Sequence, residues 1–90
     1  MSGIEFDPAK DRANRAKHGI SLARAREMKV FAILEDDRLD YGEQRFRAFG
    51  AIDDKLHCLV FAERQDVLRI ISLRRAHAKE ISSYAKTPNK

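Results

Sequence analysis

Apolar and polar positions alternate from Gly3 to Phe6, the pattern of a short strand, and the alternation stops at Asp7-Pro8. Asp suits a helix N-cap and Pro the first helical position. A helix is therefore predicted from Pro8 to about His18, with Ala9, Ala13 and Ala16 as a narrow apolar stripe and Gly19 as its stop. Ser21 caps a second predicted helix, in which Leu22, Ala25 and Met28 recur every three residues. The run Val30-Phe31-Ala32-Ile33-Leu34 then brings in β-branched and aromatic side chains, and an acidic stretch closes it, which predicts a strand. From Gln44 to Ile52 the side chains Phe46, Ala48 and Ile52 share one face and Arg45 and Arg47 the other. Leu56 to Glu63 is apolar on both faces, as a central strand is, and Asp53-Asp54-Lys55 and Arg64-Gln65-Asp66 are its turns. A last strand, Leu68 to Leu73, places Leu68, Ile70 and Ser72 opposite Arg69, Ile71 and Leu73, and a final helix is predicted from Arg75 or Ala76 to about Ala85. The order β-α-α-β-β-β-β-α, with short turns between strands, predicts an α+β fold in which helices pack on one face of an antiparallel sheet. Ninety residues suffice for one domain, residues 1–90.

Charge changes this picture from a generic fold to a basic one with structure in its charge. Net charge is +4, but Ala9 to Lys29 carries +5, Glu35 to Glu43 carries −4 and Arg64 to Glu80 carries +3. Two basic surfaces flanking an acidic loop suit an anionic partner such as nucleic acid, although charged helix faces also arise simply to be solvated. No run reaches the roughly 18 apolar residues of a spanning helix, and MSGIEFDPAK lacks a signal peptide's apolar core, so a cytoplasmic location without membrane contact is expected. The single cysteine, Cys58, has no partner for an internal disulfide or a zinc knuckle and is expected in the core. The Glu35-Asp36-Asp37 and Asp40 carboxylates lack the glycine and ligand alternation of a calcium loop, so neither a metal nor a cofactor is expected.

Three constellations could carry chemistry. Asn14, Lys17 and His18 fall on one helical face, with Lys10 a turn earlier; Lys17 and His18 also suit the negative end of a helix simply by their charge. Arg45 and Arg47 on one strand, with Arg69 on another, could present forked cations to phosphates, or could cover the sheet and pair with the acidic loop. Where the last strand enters the last helix, Arg74 and Arg75 precede His77, Glu80 and Tyr84, which fall at i, i+3 and i+7. Metal-free RNA cleavage needs a base for the ribose 2′-hydroxyl, cations for the phosphorane and an acid for the departing 5′-oxygen, and these residue types supply them. His57 and Cys58 are adjacent on a strand, so they point to opposite faces and cannot form a simple Cys-His pair.

Taken in order, F-D-P-A-K, N-x-x-K-H-G-I-S, E-x-R-F with a following glycine, and R-I-I-S-x-R-R-A followed by E-x-x-x-Y resemble the BrnT family, toxins of type II toxin-antitoxin modules, over Phe6 to Tyr84. The resemblance implies a RelE-like fold and a metal-independent endoribonuclease that blocks translation. It also implies a BrnA-like antitoxin with a ribbon-helix-helix part, through which the complex meets operator DNA. Carried over, the family's polar residues fall on Asp7, Lys10, Asn14, Lys17, His18, Arg45, Arg74, Glu80 and Tyr84. The expected catalytic set is Arg74, Glu80, Arg45 and His18, with Glu80 and His18 as alternative bases. Lys17, Asn14, Lys10, Arg47, Arg69, Arg75 and Tyr84 are the expected RNA contacts. Phe6 stands where the family usually has tryptophan, and the stretch before Arg45 is shorter and more hydrophobic than the pattern. A basic module that binds nucleic acid without cutting it, and a protein-interaction domain, are the competing readings.

Overall fold

The computed structural model describes residues 3–36, 42–77, 79 and 80. Its elements are β1 (Ile4–Glu5), α1 (Pro8–His18), a 3₁₀ helix (Leu22–Glu27), β2 (Lys29–Asp36), β3 (Arg45–Ile52), β4 (Lys55–Arg64) and β5 (Val67–Arg75). The strands form one sheet in the order β1-β5-β4-β3-β2. Neighbours from β2 to β5 run antiparallel, whereas β1 lies parallel to β5, pairing Ile4 with Leu68 and Glu5 with Arg69. The sheet is therefore mixed rather than antiparallel throughout. A strand that reaches the far edge through a crossing helix can enter parallel, which the short-turn pattern of the later strands did not reveal.

Local chemistry explains the ends of α1. The Asp7 carboxylate accepts from the Ala9 N–H at 2.9 Å, Pro8 opens the helix, and Gly19 at φ 74° lets its N–H donate to the Arg15 carbonyl. The second helix was expected as a regular one but is a single 3₁₀ segment, with Ser21 as its N-cap. Side chains three residues apart eclipse in a 3₁₀ helix, which matches the spacing of Leu22, Ala25 and Met28 as well as an α-helix does. Asp11 reaches across from α1 to bind both the Ser21 hydroxyl (2.9 Å) and the Leu22 N–H (2.7 Å). The Leu22 N–H, and after it the Ser21 hydroxyl and Arg15, hold the Asp11 carboxyl below its usual range.

The core lies between the sheet and these two helical segments, with Leu22, Ala48, Ile52, Leu59, Phe61, Ile70 and Leu73 buried. Ile4, Phe6 and Met28 pack against it. The central strand β4 is buried on both faces, as its two-sided apolar pattern predicts, and Cys58 lies fully inside. Both hairpin turns place two residues at positive φ, Asp53-Asp54 and Gln65-Asp66, the arrangement of tight turns whose twist suits antiparallel strands. At Gly50 an added Cβ would overlap the Lys29 carbonyl and lie 2.9 Å from the Val30 Cα, so only glycine permits β2 its approach to β3.

One irregularity re-aims the whole end of β5. The register shifts between Val60 and Phe61, so that Phe61 pairs with Ile70 but Val60 with Ser72. Ile71 is the extra residue of the bulge. Strict alternation groups Leu68, Ile70 and Ser72; the bulge instead returns Leu73 to the face of Ile70, where both are buried. It also exchanges the next two side chains: Arg75, paired with His57, falls on the face covered by α1, and Arg74, paired with Cys58, on the opposite one.

Candidate functional site

The C-terminal end of α1 meets the C-terminal end of β5, and Asn14 makes the joint. Its amide nitrogen donates to the carbonyls of Ile20 (2.9 Å) and Leu73 (2.8 Å), while its oxygen accepts from the Leu73 N–H at 3.1 Å. Beyond the two residues that β1 covers, this amide takes the part of a neighbouring strand at the edge of β5. Asn14 is 6% exposed, so the expectation of an RNA contact there is corrected: its hydrogen-bonding groups serve the backbone.

With that joint in place, His18 and Gly19 border a cleft of about 210 Å³ whose other walls include Lys55, His57 and Arg75. Burial first, then the charges of Lys17, Arg74 and His77, hold the His18 imidazole below its ordinary range. His57, 5% exposed, places Nδ1 2.8 Å from the Lys55 carbonyl, which holds the ring at the wall of the cleft. His57 and Lys55 are absent from the sequence-derived set. The only signal was one imidazole inside an otherwise apolar central strand.

Beside the cleft, Arg74 and Glu80 form a two-pronged pair, with Nη1 to Oε1 at 2.8 Å and Nη2 to Oε2 at 2.7 Å. Glu80 also accepts from the His77 N–H at 2.9 Å, the reach-back of a capping box, and the His77 ring nitrogen Nδ1 lies 3.9 Å from it. β5 runs through Arg75, so the final helix starts later than predicted; Lys79 and Glu80 are helical, and the predicted remainder, with Tyr84, lies outside the described residues.

Arg74, helped by the His77 N–H and opposed by partial burial, pushes the Glu80 carboxyl down to about 2 from 4.5. Because the folded value lies below the unfolded one, this pair stabilises the fold above about pH 4.5 and loses its contribution as pH falls from there toward 2. Melting temperatures of the parent and Glu80→Gln should therefore differ at neutral pH and converge on acidification. A difference independent of pH over that window contradicts the assignment.

The remaining predicted cations are elsewhere. Phe46, next to Arg45, pairs with Phe61, whereas Arg74 pairs with Cys58, so about four residues along the sheet and two strand spacings put Arg45 roughly 16 Å from Arg74. Arg45 binds Glu43 at 3.3 Å, as Arg64 does at 3.2 Å, and it is not a helper of Arg74. Arg69 is on β5 and Arg45 and Arg47 are on β3, with β4 between them, so the three arginines do not stand on neighbouring strands as expected. Arg69 instead borders a second cleft with Glu5, Phe6 and Asp7, and Arg47 lies over the Phe49 ring at 5.9 Å. Lys10 and Lys17 are exposed on α1, seven residues or about 10 Å apart along its axis.

A half-buried imidazole thus sits near lysine and arginine side chains at one end of a small basic α+β fold. Residues 6–80 match the family described as ribonuclease toxin, BrnT, of type II toxin-antitoxin system, and the chain belongs to that family. Membership makes it a ribonuclease toxin by family, with an antitoxin as its partner. A search of the curated proteins gives no match. Among the described residues no helix is long and apolar enough to cross a membrane.

Proposed function

We propose that this chain is a metal-independent endoribonuclease whose reaction centres on the His18 cleft. The observation that carries this reading is an imidazole kept neutral by burial and by neighbouring cations, in a cleft shared with His57, Lys55 and Arg75. His18 takes the proton of a ribose 2′-hydroxyl; the oxygen attacks the adjacent phosphorus; the bond to the 5′-oxygen breaks, and that oxygen leaves with a proton from His77. Arg75 and Lys55 meet the phosphate, and Lys17 and Lys10 continue the track for the strand along α1. Between the two alternative bases, His18 is favoured, because a carboxylate as weakly basic as Glu80 has little driving force to take a proton. The Arg74–Glu80 pair acts instead as a positioning device and as a source of positive field at His18. In this reading the toxin works in the cytoplasm, is RelE-like in ancestry, and is covered by a BrnA-like antitoxin whose ribbon-helix-helix part carries the complex to operator DNA.

Purified chain should cleave RNA in EDTA, and its rate should fall steeply as salt screens the phosphate contacts. Activity that appears only with added magnesium, or tight RNA binding without any cleavage, overturns the proposal.

A further inference from the structure

The cleft at the opposite end of α1 from His18 has a different chemistry. Its walls include Glu5, Phe6, Asp7 and Arg69, and it holds about 240 Å³. Glu5 and Arg69 stand in register on the neighbouring strands β1 and β5. Side chains of opposite charge placed in this way usually bond each other. Here neither makes a hydrogen bond or an ion pair, with the other or with any further described residue. Asp7, by contrast, is committed to the Ala9 N–H as the cap of α1. The cleft therefore offers one unpaired, half-buried guanidinium, one unpaired, exposed carboxylate and the half-buried ring of Phe6. Two carboxylates against one guanidinium repel a phosphate, so what this cleft takes is a neutral group with donors and acceptors side by side.

We propose that this cleft is a nucleobase subsite that selects guanine a few nucleotides from the cut, an inference that rests on the ribonuclease reading above. Guanine alone of the four bases sets a pair of acceptors, O6 and N7, beside a pair of donors, N1–H and the N2 amino group. A guanidinium forks the first pair and a carboxylate the second, and Arg69 and Glu5 supply one of each. Single-stranded RNA splays its bases out against aromatic rings, and Phe6 gives this base an apolar wall. The distance from the reaction follows from α1, whose 11 residues span about 16 Å. His18 ends that helix, Asp7 precedes it, and Lys10 and Lys17 lie between. A strand whose phosphates follow the two lysines therefore delivers a base a few nucleotides from the reacting phosphate to Glu5 and Arg69. Arg69 reads that base and does not bind a phosphate.

The test is the binding of short 2′-O-methyl oligouridylates to the purified chain, read by fluorescence anisotropy. These oligomers lack the attacking hydroxyl, so the readout does not depend on cleavage. One that carries a single guanine should bind about tenfold more tightly than the same oligomer carrying a single adenine. Inosine in its place, which lacks the N2 amino group, and 7-deazaguanine, which lacks N7, should each lose most of that gain. Arg69→Met should abolish the discrimination between guanine and 7-deazaguanine, and Glu5→Ala that between guanine and inosine, whereas Lys10→Ala should weaken every oligomer alike. Equal affinity for all bases, or a preference for another base, overturns the subsite and leaves the ribonuclease reading standing. A guanine preference that survives both Arg69→Met and Glu5→Ala overturns it as well, because the base is then read elsewhere. Failure to bind any of the oligomers overturns the phosphate track along α1 together with the subsite.

Discussion

His18→Ala should cut the rate of RNA cleavage by about 10² to 10⁴ while leaving the melting temperature almost unchanged, since a general base contributes that much to such a reaction. The side chain sits at the last position of α1, half-buried, and makes no hydrogen bond with the described residues. Its neighbours supply a second, sharper readout. Arg74 is one of the charges that keep His18 neutral, so Arg74→Met removes a cation and leaves the Glu80 carboxylate without its guanidinium. Both changes raise the pKa of the imidazole, and cleavage falls as the base is protonated. The acid limb of the pH–rate profile should therefore move to higher pH in Arg74→Met. A limb that stays in place separates Arg74 from His18, and a His18→Ala enzyme within a few-fold of the parent removes His18 from the reaction.

Asn14→Ala should produce the largest loss of stability of any single substitution on α1. It strips partners from the Leu73 N–H, the Leu73 carbonyl and the Ile20 carbonyl at once. Each buried polar group left without a partner costs about 1 to 3 kcal/mol, so a total of about 3 kcal/mol is expected. For a chain of this size that lowers the melting temperature by on the order of 15 °C. Lys17→Ala, on the exposed surface of the same helix, should change it by less than about 0.5 kcal/mol. Thermal unfolding of the two variants distinguishes a structural amide from an RNA contact: an Asn14→Ala protein that keeps its melting temperature and loses RNA affinity would restore the ligand role.

How far the sequence speaks can be seen at three places. Asp7-Pro8 and Gly19 announce both ends of α1, because caps are local chemistry and need only a few consecutive residues. The alternation of β3 and the two-sided apolar character of β4 likewise place Phe46, Ala48 and Cys58 correctly, since a strand's period is fixed by its backbone. The bulge at Ile71 leaves no such mark. An extra residue in a run of Leu-Arg-Ile-Ile-Ser-Leu looks the same whether or not it is paired, yet it decides whether Arg74 or Arg75 faces α1. For the same reason the candidate site was legible in its parts and not in its grouping. His18, Lys17, Arg74 and Glu80 meet at one end of the sheet, but Arg45, Arg47 and Arg69 depended on which strands are neighbours, and β4 separates them. Asn14 shares the helical face of His18 as its spacing predicts, and it was the burial of that face, set by the distant Leu73, that gave it a structural task.

The parallel entry of β1 belongs to the same class of long-range facts. Ile4 and Glu5 pair with Leu68 and Arg69, more than sixty positions away, and nothing in a two-residue strand specifies that choice beforehand. Its shortness has a functional consequence: because β1 stops at Glu5, the upper half of β5 is open to Asn14, and α1 can deliver His18 to the end of the strand.

The chemistry of the cut ends tests the central claim most directly. If His18 activates the ribose 2′-hydroxyl, RNA incubated with the purified chain in EDTA must yield fragments with a 2′,3′-cyclic phosphate on one side and a free 5′-hydroxyl on the other. Fragments bearing a 5′-phosphate contradict the account, because they require water rather than the 2′-oxygen to have attacked.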